Sequence, residues 1–150
     1  MDKTTQIGQF THWINQRPNT IEFWEISVTP KHLIWCFAGE SYRSMLLRAD
    51  TAKQRRSRIK EATPTELIDL HEKNFQIPVT AIKKISYAKG TRLRRGTLDI
   101  TCHQNEKRSE FSLVSTSKNV SHHSTLEKLR HHPQFKHVEI TTNSKGILNR

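Results

Sequence analysis

TLDITCHQNEKRSEFSLVS, residues Thr97 to Ser115, reads as a β-hairpin. Leu98, Ile100 and Cys102 alternate with Thr97, Asp99 and Thr101, the period of a strand with one face buried and one wet. Gln104 to Lys107 supplies polar turn chemistry, and Phe111, Leu113 and Ser115 carry the alternation down a return strand. A chain that commits this stretch to an antiparallel pair must find further strands, because an isolated hairpin is marginal in water.

Working upstream, Gln76 to Tyr87 has strand composition through Ile77, Val79, Ile82 and Ile85, and the segment from Lys89-Gly90 to Arg95-Gly96 is the loop joining it to the hairpin. Before it, Ile21 to Leu47 reads as a three-strand meander. Ile21, Phe23 and Val28 mark the first strand, Leu33, Ile34, Trp35 and Phe37 the second, and Ser41 to Arg48 the third. Thr29-Pro30-Lys31 and Ala38-Gly39-Glu40 are its turns. The aromatics Phe23, Trp24, Trp35, Phe37 and Phe111 fall on strands and are expected in the core. Trp24, out of phase with Phe23, is read as packed under an N-terminal helix or as a stacking anchor.

Helical signals are fewer. Ile7, Phe10, Trp13 and Ile14 have the one-face spacing of a short helix over Thr5 to Gln16, ended by Arg17-Pro18-Asn19. Thr63-Pro64-Thr65-Glu66 is a capping box with proline at the first helical position, which predicts a helix from about Pro64 to Asn74 with Leu67, Ile68, His71 and Phe75 on its apolar stripe. Ser124-Thr125-Leu126-Glu127 is a second box, opening a helix with Leu126 and Leu129 inward and Pro133 at its end. Val138 and Ile140 add a late edge strand, and disorder is expected from Asn143. The organisation read from these signals is an N-terminal helix and linker over 1–20, one domain over 21–142 with a helical insertion at about 50–75, and a tail over 143–150. The fold class is mainly β with helices, α+β.

The 150 residues carry 25 Lys plus Arg against 14 Asp plus Glu, a net charge of +11. That excess favours acidic partners and opposes self-association. Only 33% of residues are apolar and the mean hydropathy is -0.73, so the core is thin and the connections polar. The longest apolar run, Leu33 to Ala38, is far short of the roughly 20 residues of a spanning helix. Roughly the first 30 residues show no basic start followed by an apolar stretch, so no secretory signal is read. Cys36 and Cys102 lie far apart without CxxC spacing and are read as reduced core thiols. The location expected from these signs is cytoplasmic, with peripheral contact at a membrane as a variant.

The element order, a meander, an inserted helix, a final set of antiparallel strands and a closing helix, resembles the PH-like superfamily, in particular bacterial PH and GRAM-type domains. Three stretches carry the resemblance: Val28-Thr29-Pro30-Lys31-His32-Leu33-Ile34, Ile77-Pro78-Val79-Thr80-Ala81-Ile82-Lys83-Lys84-Ile85, and Leu98 to Leu113 with Leu126 to Arg130. The resemblance implies a bent antiparallel barrel capped by the C-terminal helix, with loops that often bind lipid headgroups or protein. The long basic insertion departs from the family pattern. Fold alone does not fix function.

Two basic clusters are the candidate site. Arg43, Arg48, Lys53, Arg55, Arg56, Arg58 and Lys60 form the first. Lys83, Lys84, Lys89, Arg92, Arg94 and Arg95 form the second, with no acid between Lys83 and Thr97. Guanidinium forks and ammonium groups beside a rigid sheet grip phosphates or carboxylates. The anion-binding residues expected are therefore Arg55, Arg56, Arg58, Lys83, Lys84, Lys89, Arg92, Arg94 and Arg95. The partners are anionic lipid or an acidic protein segment, with nucleic acid, or a charge that serves only solubility, as the alternatives. Nine histidines invite a metal, but His122-His123 precede the second capping box and His131-His132 flank Pro133, so no metal or cofactor is assigned. Nucleotide-binding and hydrolase signatures are missing, and Cys102 beside His103 points to the opposite face of its strand, so no enzyme is expected.

Overall fold

A computed structural model describes residues 6–16, 18, 20–42, 57–91, 95–115 and 122–143. Strands β1 (Gly8–Gln16), β2 (Thr20–Val28), β3 (His32–Tyr42), β4 (Phe75–Pro78), β5 (Ile82–Ala88), β6 (Thr97–Gln104), β7 (Lys107–Ser115) and β8 (Glu139–Asn143) alternate with few helices. These are α1 (57–61), α2 (Pro64–Leu67) and α3 (His123–Arg130). The strands form one sheet in the order β4-β3-β2-β1-β7-β6-β5-β8. Every neighbour pair is antiparallel except β5 with β8, which is parallel. The fold is thus mainly β with a minor helical part, as the sequence implies.

The hairpin is β6 and β7, registered from Thr97↔Val114 to Gln104↔Lys107. Its two-residue turn, Asn105-Glu106, has φ of 54° and 65°. Two successive positive φ values define the primed turn whose twist suits two antiparallel strands. Leu98, Ile100 and Leu113 are fully or nearly buried and Cys102 with them, which is the face the alternation selects.

The N-terminal segment is a strand, not the expected helix. A register shift between Phe10 and Trp13, with His12 at φ 70°, makes a bulge. One extra residue resets the two-residue alternation, so Phe10 and Trp13 both point inward although three positions apart. Helical spacing and a bulged strand are the same pattern here. The bulge is held by Glu25, which is 1% exposed and whose carboxylate accepts from the His12 amide at 2.9 Å. Residues 8–16 therefore belong to the sheet, paired with β2.

The meander starts one strand earlier than its sequence implies. Ala38-Gly39-Glu40 is no turn: β3 runs through it, and Gly39 adopts φ 145° opposite Phe23 where the β2–β3 register shifts. The inward set of β2 is Trp24, Ile26 and Val28, so Trp24 is core and Phe23 faces the other side. The expected strand Ser41 to Arg48 is described only as far as Tyr42; the remainder lies outside the described residues. Gln76 to Tyr87 is two strands, not one. The proline and a 3-10 turn at Val79–Ala81 lead the chain from β4, at one edge of the sheet, to β5, next to the other.

Trp35 of β3 stacks on Phe75 of β4 with centroids 5.3 Å apart and meets Phe111 of β7 at 4.8 Å. In a flat sheet β3 and β7, with β2 and β1 between them, would lie three strand spacings of about 4.8 Å apart. The sheet is therefore strongly bent, which brings the inner faces of β3, β4 and β7 together. Leu126 and Leu129 of α3, both 0% exposed, pack into this core with Phe135. Burying each such large apolar side chain contributes about 1.5–3 kcal/mol.

Each of these helices departs from its sequence signal at one end, α2 at its C-terminus and α3 at its N-terminus. At α2 the box forms reciprocally, the Thr63 hydroxyl accepting from the Glu66 amide and the Glu66 carboxylate from the Thr63 amide. The helix ends at Leu67 rather than Asn74, because the Asn74 side-chain amide takes the Leu67 carbonyl at 2.6 Å and its oxygen accepts from the Phe37 amide at 2.7 Å. At α3 the second box is not used. His122 occupies the N-cap without a side-chain cap bond, and its Nε2 accepts from the Thr11 amide of β1 at 3.0 Å. The late strand forms as β8 and includes Asn143, the first residue of the tail expected over 143–150, because that residue pairs with Ala88; 144–150 lie outside the described residues.

Candidate anion-binding face

Strand alternation leaves one side of β5, β6 and β7 turned away from the core. Lys84 and Ser86 of β5, Asp99, Thr101 and His103 of β6, and Arg108, Glu110 and Ser112 of β7 occupy it in register. The register shift between Ile82 and Lys84 turns Lys83 outward too, beside its neighbour. At the β6–β7 turn end these side chains ring a groove of about 280 Å³, lined by Lys83, Lys84, Arg108, His103, Thr101 and Glu139. A hydroxyl, a ring nitrogen and three cations face one space.

The groove is not free of acid. Lys84 Nζ lies 4.0 Å from Glu139 of β8, and Arg108 donates to Glu110 at 2.7 Å and 3.1 Å. Both pairs are exposed, where an ion pair is worth about 0–1 kcal/mol, so an incoming phosphate or carboxylate competes for the cations at little cost. The run from Lys83 to Gly96 holds no acid in sequence, yet the parallel strand β8 sets one beside it in space.

Among the described residues, the expected site residues lie at three separate places. Arg55, Arg56, Arg92 and Arg94 lie outside the described residues. Arg58 is exposed on α1, whose Ile59 packs on the outer side of β3. Lys83 and Lys84 belong to the groove, whereas Lys89 and Arg95 are exposed at the two ends of the β5–β6 connection, at the far end of β5. Strands β3 and β5 run in opposite directions across the sheet, so the connections that follow them leave from opposite ends. The second cluster is thus split, and its lysine pair is joined by Arg108 and His103 instead. Those two were legible in principle: a two-residue turn after Gln104 sets His103 opposite Arg108 on the outward face.

Most of the remaining ionisable residues that invite chemistry have structural work. Burial first, then Glu25, pushes the Cys36 thiol up to about 12, and burial pushes Cys102 up to about 11, so neither offers a thiolate near neutral pH. Both are free and buried, as expected of core thiols. His137 Nε2 bonds the Val79 carbonyl, and His132 Nδ1 accepts from Gln134. Among the described residues no three His, Cys, Asp or Glu gather in a way that would hold a metal ion. Nor is any helix among them long and apolar enough to cross a membrane. No protein-family model and no curated protein sequence matches the chain.

Proposed function

We propose that this protein is a non-catalytic, PH-like binding module that docks on an anionic lipid surface through the outer face of β5, β6 and β7. The observation that carries the reading is the convergence of Lys83, Lys84 and Arg108 around one open groove. The order β4-β3-β2-β1-β7-β6-β5 followed by α3 is in keeping with a bent seven-stranded sheet closed by a C-terminal helix. Each cation near an anionic membrane contributes about 1 kcal/mol, so the three together support weak, salt-sensitive docking of about 3 kcal/mol.

Co-sedimentation with phosphatidylcholine liposomes, with and without phosphoinositide, tests this. Binding is expected only to the anionic vesicles, and the combined substitution Lys83→Glu, Lys84→Glu and Arg108→Glu is expected to weaken it at least about 100-fold. Equal and negligible sedimentation with both vesicles removes the lipid reading. A DNA or RNA shift that weakens steeply with salt, without liposome binding, would move the partner class to nucleic acid.

A further inference from the structure

Strand β7 extends well past the two rungs at which β1 covers it. It pairs with β1 only at Trp13↔Ser115 and Ile14↔Val114, and β1 ends at Gln16, so β7 runs from Leu113 back to Lys107 with β6 on one side. Among the described residues no strand pairs with its other side there. The Ser115 amide donates to the Gly96 carbonyl of the β6 side at 2.9 Å. Because backbone groups alternate along an antiparallel strand, the amides and carbonyls of Glu110 and Ser112 face the open edge.

That edge borders a cleft of about 440 Å³. Glu110 to Leu113 line it consecutively, which a strand can do only along its edge, since neighbouring side chains leave on opposite faces. Trp24, Trp35, Phe75 and Phe111 line its aromatic wall, with Trp24 set at 72° to Phe75 and 75° to Trp35. Among the described residues its charged lining consists of two carboxylates, Glu22 and Glu110, in a chain of net charge +11. Both already attract cations from outside the cleft: Lys73 lies 3.7 Å from Glu22, and Arg108 bonds Glu110 at 2.7 Å.

We infer that this cleft binds an extended peptide of a partner protein, one with an apolar or aromatic residue between Lys or Arg residues. The peptide adds as a strand to β7, pairing its backbone with Glu110 and Ser112. Its apolar side chain lies against the aromatic wall, and its cations reach Glu22 and Glu110. Main-chain pairing supplies affinity and the pocket supplies selectivity, the division of labour of strand addition. Folded proteins blunt a strand edge with proline, a bulge or charged side chains, and β7, whose charges are confined to Lys107, Arg108 and Glu110, has neither proline nor bulge between Lys107 and Ser115. The cleft is distinct from the groove on the outer face, so this inference stands or falls apart from lipid docking.

Fluorescence anisotropy with a labelled peptide RLRFRLR tests it on the whole chain. Saturable binding is expected, roughly tenfold or more weaker for ELEFELE and for an RLRFRLR whose backbone is N-methylated at alternate residues. Ser112→Pro removes an amide that faces away from β6, and is expected to abolish binding while the thermal unfolding midpoint stays near that of the parent protein. Glu110→Gln keeps the backbone edge intact and is expected to weaken RLRFRLR in particular. Equal binding of the N-methylated peptide, tighter binding of ELEFELE, or no saturable binding of RLRFRLR would each overturn the inference.

Discussion

The two halves of the sheet treat their outer faces in opposite ways. On β3 that face carries Ile34, Cys36 and Ala38, and α1 and α2 cover it with Ile59 and Leu67. On β5 to β7 it carries Lys84, Thr101, His103 and Arg108, and no described element packs over it. The same inner core supports both. Helices α1 and α2 are therefore a cover for a second small core, and the charged half is left uncovered by any described element.

The sharpest way to break this comparison is to remove one side chain from each half. Leu67→Ala should cost about 3 kcal/mol in chemical denaturation, because it empties a fully enclosed position. Lys84→Ala should change stability by less than about 0.5 kcal/mol. Equal, small effects would mean that α1 and α2 are not a structural cover.

The join between the halves makes the next prediction. His122 is 3% exposed, packed among the rings of Phe10, Trp13 and Tyr87, and burial above all holds its pKa near 4, below the usual 6.5. Nearby His12 and His123 act in the same direction. The Thr11 amide also points at Nε2, which must keep its lone pair to accept. The unfolded chain takes up a proton below about 6.5 while the folded one stays neutral until about 4. Stability should be flat above this window and fall as pH drops through it, by up to about 3 kcal/mol. His122→Gln, which keeps an acceptor and removes the titration, should flatten the profile in urea unfolding measured from pH 7 to 4.

Smaller effects sharpen the contrast. Thr63→Ala breaks the reciprocal cap of α2 and should cost about 1 kcal/mol, read as a lower denaturation midpoint. In the other half, Glu106→Gly relieves a side chain held at φ 65° and should raise stability by about 0.5 kcal/mol.

What could be read from the residues depends on how local each signal is. The β6–β7 hairpin is legible because its alternation is unbroken and its turn has two residues. The first strand was not, since a bulge spaces Phe10 and Trp13 as a helix would. The end of α2 depends on Asn74 turning back to Leu67, and the start of α3 on His122 meeting Thr11, contacts between residues that periodicity cannot pair. The candidate site was half legible: Lys83 and Lys84 stand out as charge, whereas Arg108 enters only through the hairpin register and Glu139 only through the parallel pairing of β8.

The short pairing of β1 with β7 has a kinetic meaning. The β6–β7 turn closes a loop of two residues, and each meander turn is nearly as local. The rungs Trp13↔Ser115 and Ile14↔Val114 must instead bring together opposite ends of the chain for a very small return in backbone bonding. Loop-closure entropy of that kind is recovered only once Trp13, Tyr87 and His122 pack across the join. The two halves should consequently gain their internal order first, with their merger into one sheet as the slow, committing step of folding.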